Sequence, residues 1–112
     1  MATPKVCNET IEIGTIFCNT HGYDMRLPEW LMVVKKNGKY SVTLQPLCEK
    51  VISGGHNGYW KSMPDTERPK GKPYLSRLYE GWRDGQIAVR DTWGHLSFEW
   101  DGETPLSCDD MD

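Results

Sequence analysis

Hydrophobic and polar residues are patterned most clearly over residues 30–47, which we interpret as a β-hairpin. Residues 30–34 are apolar without alternation, as expected of a strand that is buried on both faces. Residues 40–45 alternate between apolar and polar side chains, which predicts one buried and one solvated face. Asn37 and Gly38 lie between the two runs, and Asn-Gly is the strongest short signal for a two-residue hairpin turn.

Shorter alternations along the rest of the chain predict further strands. Residues 95–100 alternate cleanly and place Leu96, Phe98 and Trp100 on one face of a predicted strand. Residues 64–73 are rich in proline and charge, so they predict a loop and the most mobile stretch of the chain. Residues 74–81 fit either a strand or one to two helical turns, and we favour the strand. Residues 12–18, 48–53, 59–63 and 86–90 are the other predicted strands.

The pattern as a whole predicts a mainly β fold with little helix. Six to eight short strands joined by Gly, Pro and Asn turns indicate a small antiparallel barrel or sandwich. We favour a small barrel that resembles the Src-homology type, because a barrel removes exposed strand edges.

The chain of 112 residues predicts a single domain with one modest core. Residues 1–10 are interpreted as a flexible lead-in and residues 103–112 as an acidic tail. No apolar run reaches the ~20 residues that span a bilayer, and the N-terminus lacks a signal-peptide pattern. We therefore expect a cytoplasmic protein without a membrane partner. Its cysteines should then remain reduced thiols: Cys7, Cys18, Cys48 and Cys108.

Charge is distributed unevenly along the chain. The formal net charge is −3, yet residues 99–112 contain six acidic residues and no basic one, which leaves 13 basic against 10 acidic residues in the remainder. An acidic tail on a mildly basic body can shield a basic surface or mimic a polyanion toward a partner. A solvated terminus is the simpler interpretation.

Four motifs occur in a fixed order between residues 12 and 106: GTIF at 14–17, HGYDM at 21–25, Trp30 with VVK at 33–35, and FEWDG at 98–102. Together they resemble a family of small uncharacterised proteins carried by phages and integrative conjugative elements. The chain departs from that pattern at Leu27, which follows Arg26, and at Thr104, which precedes Pro105. The resemblance implies no specific activity. It implies a genetic context, accessory genes of mobile elements, which includes inhibitors of host defence such as anti-CRISPR proteins.

Catalytic and metal chemistry find little support in the sequence. Cys18-x-x-His21 has the spacing of half a zinc site, but the chain contains no C-x-x-C motif and no second paired half-site. No local signature pairs a Cys or Ser nucleophile with a histidine and a carboxylate. Residues 54–58 are glycine-rich but lack the Lys-Ser/Thr of a phosphate-binding loop. We expect no enzyme activity, no metal and no cofactor, and keep a small enzyme as the second alternative.

Binding is the better-supported class of function. Five Trp and five Tyr residues could stack on single-stranded nucleic acid in a basic groove, although a pI of about 5.6 argues against it. The residues for this alternative are Lys35, Lys36 and Lys39 at the hairpin tip, and Lys61, Arg68, Lys70, Lys72 and Arg77 around the proline-rich loop.

We favour a protein-binding role, because Trp, Tyr and Arg residues in turns are the usual anchors of interfaces. Trp30 and Trp100 are assigned to the core. The hypothesis is a non-enzymatic protein-binding module of a mobile element whose partner is a host protein, with inhibition of a defence nuclease as one candidate role. The candidate binding residues are Tyr59, Trp60, Trp82, Arg83 and Trp93, with Asp109 and Asp110 of the acidic tail.

Overall fold

The structure is a computed structural model that describes residues 7–21, 27–56, 59–81 and 86–109. Within these ranges the chain is mainly β and contains no helix, so no described helix is long and apolar enough to cross a membrane. The strands are β1 (Ile16–His21), β2 (Leu27–Asn37), β3 (Ser41–His56), β4 (Tyr59–Pro69), β5 (Tyr74–Arg77), β6 (Tyr79–Glu80), β7 (Ile87–Arg90), β8 (Leu96–Glu99) and β9 (Leu106–Asp109).

All nine strands belong to one antiparallel sheet, in the order β6-β7-β8-β1-β2-β3-β4-β9. β5 also pairs with β3. β2 occupies one edge of β3, and the other edge pairs first with β5 and then, further along the strand, with β4. The sheet is not closed into a barrel, contrary to our expectation. The sheet curves so that β5 contacts β7, but hydrogen bonds that involve side chains make this contact and a backbone ladder does not. Tyr74 Oη donates a hydrogen bond to the Arg90 carbonyl at 2.6 Å, and the Arg90 amide donates to Ser76 Oγ at 3.2 Å.

The central hairpin of β2 and β3 is confirmed, but its turn differs from the predicted two-residue Asn-Gly turn. Asn37 pairs with Ser41, so the turn comprises the three residues 38–40, with Gly38 at a φ of 58°. Asn37 is held in the strand because its Oδ1 accepts a hydrogen bond from Thr43 Oγ1 at 2.7 Å. Asn8, inside the predicted lead-in, is buried against this turn and donates through Nδ2 to the carbonyls of Gly38 and Ser41.

The predicted third strand at residues 48–53 is a continuation of β3 and not a separate element. Pro46 does not end the strand, because its missing N–H faces away from β2. Its carbonyl accepts a hydrogen bond from the Lys70 amide at 2.8 Å, and in a strand the N–H and C=O of one residue point to the same side. On that side β3 changes partner from β5 to β4, so no ladder bond is lost there.

The proline-rich segment is the clearest error of the sequence interpretation. Residues 64–69 are the second half of β4, and only residues 70–73 form the connection to β5. The pairing with β3 is irregular: Asp65 lies opposite Cys48, while Pro69 lies opposite Leu47, so residues 66–68 bulge out. An irregular strand tolerates proline because it has fewer ladder bonds to lose.

The core consists of two hydrophobic clusters on opposite faces of β2, where we expected one. This confirms that β2 is buried on both faces. We call the face with Leu31 and Val33 the inner face and the face with Trp30 and Met32 the outer face. The inner cluster is Ile11, Phe17, Leu31, Val33, Val42, Leu44, Leu78 and Val89. The outer cluster is Ile16, Trp30 and Leu47, with Cys18, Met32, Trp100 and Leu106 packed against it.

Several smaller predictions can also be compared with the structure. Residues 74–80 are strands and not a helix, and β7 and β8 lie where they were predicted. The first strand is shifted toward the C-terminus, to Ile16–His21. In β8 the fully buried residue is Ser97, whereas Leu96 and Phe98 are half-buried. Part of the acidic tail is a strand, because β9 pairs with β4.

Candidate interaction site

The turn between β7 and β8 is built around the buried carboxylate of Asp91. Asp91 Oδ1 accepts hydrogen bonds from the amides of Trp93 and His95 at 2.8 and 2.9 Å. The backbone closes the same turn, since the Asp91 amide donates to the His95 carbonyl and the Gly94 amide donates to the Asp91 carbonyl. Gly94 adopts a φ of 87°, which L side chains rarely adopt. The turn therefore has a fixed shape.

Two hydrogen bonds fasten this turn to the sheet beneath it. Asn19 Nδ2 in β1 donates to Asp91 Oδ2 at 3.2 Å. Thr92 Oγ1 donates to Oε1 of Glu29, a buried carboxylate in β2, at 2.8 Å. Asn19 and Glu29 are directly opposite each other in the β1–β2 ladder, so their side chains share one face. The side chains of Asn19 and Glu29 thus form one polar surface to which the turn is hydrogen-bonded.

Trp93 lies at the tip of this turn with 68% of its surface exposed. The other large exposed hydrophobic side chains of the described residues include Ile13, Val51 and Leu75. Trp93 differs from these because its backbone is fixed by a buried carboxylate. A rigid, exposed Trp loses little conformational entropy when a partner covers it, which is the property of an interface anchor.

A cleft of about 250 Å³ opens beside Trp93. Its walls combine two indole rings, apolar side chains, two carboxylates and one lysine, so it offers both a hydrophobic surface and charge. The lining residues are Leu27, Pro28, Glu29, Trp30, Leu47, Glu49, Lys70 and Trp93.

Glu49 connects this cleft to the second predicted anchor, Trp60. The half-buried Trp60 donates its indole Nε1–H to Glu49 Oε2 at 3.0 Å. Trp60 also lies opposite Cys108 of β9 and borders a groove of about 270 Å³ with Lys61 and Ser107. Trp60 is therefore a wall of a surface groove, whereas Trp93 projects from a turn.

The structure brings some of the predicted binding residues together. Glu49 accepts a hydrogen bond from Trp60 and lines the same cleft as Trp93, and β4 places Tyr59 directly opposite Asp109 of β9. Trp82, Arg83 and Asp110 lie outside the described residues, as do the side chains of Tyr59 and Asp109. Trp30 is confirmed as a core residue, and Trp100 packs edge-on against it with ring centroids 5.3 Å apart.

The eight predicted basic residues are all exposed, but they do not form one groove. Arg77 lies opposite Ser41, which brings it beside the hairpin tip. Lys61 lies in β4 beside β9, and Lys70 lines the cleft near Trp93. Lys36 lies opposite the buried Val42, on the inner face, whereas Lys35 lies opposite Thr43 on the outer face.

Metal and thiol chemistry, which the sequence disfavours, can be compared with the described residues. No group of three or more His, Cys, Asp or Glu side chains among them could hold a metal ion. Burial, with a contribution from Asp101, raises the pKa of the Cys18 thiol to about 12, so this thiol is protonated and unreactive at neutral pH. Burial, followed by the charges of Asp91 and Glu29, raises the pKa of Tyr74 far above its ordinary value. The side chain of His21 lies outside the described residues.

Sequence reasoning missed the three carboxylates that organise this site: Glu29, Glu49 and Asp91. The four residues DTWG at 91–94 carried a usable signal, because an Asp two residues before an exposed aromatic and followed by Gly is typical of a side-chain-capped turn. Nothing local marked Glu29, which meets Thr92 from 63 residues away.

No protein-family model, no curated protein and no solved structure matches this chain.

Proposed function

We propose that this chain is a non-enzymatic protein-binding module that uses Trp93 as its principal anchor. The observation that carries the proposal is the presentation of Trp93. Its exposed indole lies on a turn that is closed by the buried carboxylate of Asp91. Hydrogen bonds with Asn19 and Glu29 hold this turn against the sheet. Desolvating such a ring against a complementary pocket stabilises a complex without the cost of ordering a loop.

The charge around Trp93 supports a basic partner surface. Glu29 and Glu49 line the cleft beside the ring with a single lysine, Lys70, so carboxylates outnumber cations there. At the other end of β8, Asp101 and Glu103 are exposed on the β8–β9 connection. Asp101 carries a full negative charge at neutral pH, because hydrogen bonds from Thr104 and Glu103 hold the pKa of its carboxyl below the usual range. An excess of carboxylates beside an aromatic anchor complements a surface rich in Lys and Arg.

The resemblance to accessory proteins of mobile elements extends the proposal to a biological role. A protein that presents acids and an aromatic anchor fits the positively charged channel in which a nuclease holds its nucleic acid. We therefore propose an inhibitor of a host defence nuclease that acts in the cytoplasm and works by occupying a surface, as a stoichiometric blocker.

The test is capture of a partner by the tagged protein from a nuclease-treated lysate of a natural host, followed by affinity measurement with the purified partner. Trp93→Ala should weaken binding by roughly 30-fold or more, which corresponds to about 2 kcal/mol for an anchor. Ile13→Ala removes another large exposed side chain and should change the affinity less than about threefold.

Three results would contradict the proposal. The first is that no protein is retained once nucleic acid is digested. The second is that the Trp93→Ala variant binds as well as the parent protein. The third concerns mechanism: inhibition of the captured nuclease at far less than one equivalent would indicate catalysis by this chain and would revive the enzyme alternative.

A further inference from the structure

The outer face of the sheet near the hairpin tip has a composition unlike that of the cleft. Ladder pairing places Asn37, Ser41 and Arg77 in one row across β2, β3 and β5, and places Lys35, Thr43 and Leu75 in the next row. Residues directly opposite each other in an antiparallel ladder share a face, so all six side chains lie on one surface. We call these six residues the tip face.

The tip face combines positive charge with neutral hydrogen-bonding groups and one apolar side chain. Lys35 and Arg77 are exposed, and Leu75, two residues before Arg77 in β5, has 62% of its surface accessible. None of the six positions is acidic. The loop after β4 adds another cation beside this surface, because Gln45 on the outer face donates to the Gly71 carbonyl at 3.3 Å and Lys72 follows directly.

Lys36 and Lys39 belong to different surroundings, although they are close in sequence. Lys36 shares its row with the buried Val42 on the inner face. The Lys39 carbonyl accepts a hydrogen bond from the Asn8 amide, so the segment that contains Glu9 lies next to Lys39. The tip face is thus a local basic surface on a protein whose net charge is −3.

The spacing of the two cations suits a single extended polyanion. Neighbouring strands lie ~4.8 Å apart and successive rows on one face ~7 Å apart, so the Cα atoms of Lys35 and Arg77 are separated by roughly 12 Å along the diagonal. Both side chains can therefore reach one backbone that crosses β3. Thr43 Oγ1 already donates to Asn37 Oδ1, which leaves the side-chain NH2 of Asn37 and the hydroxyl of Ser41 as donors beside that path. Such groups commonly contact phosphate and sugar oxygens.

We propose that the tip face binds the phosphate backbone of single-stranded nucleic acid. Lys35, Arg77 and Lys72 supply the charge, and Leu75 supplies an apolar contact for a base or sugar. A single strand is the occupant because the surface is the open face of a sheet, whereas reading a duplex groove requires a projecting helix or ribbon. This site is separate from Trp93 and goes beyond the proposed protein-binding function.

The test is fluorescence anisotropy with a 20-nucleotide labelled oligothymidylate at salt concentrations from 50 to 200 mM. Each phosphate contact on a single strand contributes about −0.7 to the slope of log K against log salt, so three cations predict a slope of about −2. The double variant Lys35→Ala/Arg77→Ala should have a slope of about −0.7 and should bind on the order of 50-fold more weakly at 50 mM salt.

The controls separate this site from other charges and from the protein-binding function. Lys61→Ala removes an exposed cation in β4 and should leave the slope unchanged, and Trp93→Ala should bind the oligonucleotide like the parent protein. The proposal is overturned if the parent protein shows no salt-dependent binding at 50 mM salt. It is also overturned if Lys61→Ala reduces the slope as much as the double variant does, or if a 20-base-pair duplex binds as tightly as the single strand.

Discussion

The hydrogen bond between Trp30 and Ser62 allows a sharp test of the outer cluster. Trp30 Nε1 donates to Ser62 Oγ at 2.9 Å, and the two residues are 1% and 0% exposed. Ser62→Ala removes the acceptor and leaves the indole N–H buried without a partner. Because a buried donor that loses its acceptor costs its desolvation free energy, the free energy of unfolding should fall by about 1–3 kcal/mol.

A second buried serine in the same sheet is a matched control. Ser97 is also fully buried, but its Oγ has no hydrogen-bond partner among the residues that the structure describes. Ser97→Ala should therefore leave stability unchanged or raise it by up to about 1 kcal/mol, because a desolvated hydroxyl is removed without orphaning a donor. The two substitutions delete the same atom, and only the bonding of that atom differs.

Urea unfolding at 25 °C, followed by far-UV circular dichroism, measures both effects. The loss should appear as a lower midpoint with an unchanged slope for Ser62→Ala. In a Trp30→Phe background the indole donor is absent, so the additional cost of Ser62→Ala should fall toward zero in a double-mutant cycle. Equal stabilities of Ser62→Ala and Ser97→Ala, or full additivity in the cycle, would refute the reasoning.

Three further predictions concern the turn, the N-terminal segment and the outer cluster. Asp91→Ala should lower stability by about 1–3 kcal/mol in urea unfolding and abolish Trp93-dependent binding, because two turn amides lose their acceptor. Asn8→Ala should lower stability by about 1–2 kcal/mol, because two carbonyls of the hairpin turn lose their donor. Burial raises the pKa of the Cys18 thiol to about 12 in the folded state, whereas the unfolded thiol titrates near its ordinary pKa of 9.0. The free energy of unfolding should therefore fall as pH rises from 9 to 12, by less than about 1.4 kcal/mol per pH unit because the group is partly exposed, and Cys18→Ala should remove this component.

Each of these has an outcome that would contradict it. An Asp91→Ala variant that binds a captured partner normally would show that the capped turn is not needed for presentation. Stability that is insensitive to Asn8→Ala would mean that the N-terminal segment only rests on the hairpin. Parallel pH profiles for the parent protein and Cys18→Ala above pH 9 would show that Cys18 does not contribute to alkaline destabilisation.

The sequence predicts the local features of this fold better than its long-range ones. Residues 30–47 form the expected hairpin because alternation, a buried run and a glycine turn all act over a few residues. Composition predicts a loop for residues 64–69, yet they pair with β3. A proline in the sequence shows that one backbone N–H donor is missing. It does not show which edge of the strand that N–H would have faced.

The candidate site shows the same division. The exposure of Trp93 follows from its place in a turn and was predicted. Its rigidity depends on Asn19 and Glu29, which reach the turn from 72 and 63 residues away along the chain. In the same way Arg77 joins Lys35 on one surface only because β5 pairs with β3. Sequence periodicity assigns a residue to a face of its own strand but does not identify the strand that becomes its neighbour.

The length of β3 has a practical consequence for anyone who wishes to divide this protein into parts. Its first half supplies Val42 and Leu44 to the inner cluster, and Leu47, in the middle of the strand, supplies the outer one. Its second half holds β4, and through β4 also β9. A fragment that ends inside this strand would expose hydrophobic residues of both clusters to water. Neither the cleft nor the tip face can therefore be produced as an independent folded unit. Dissection of this protein has to proceed one side chain at a time, within the intact chain.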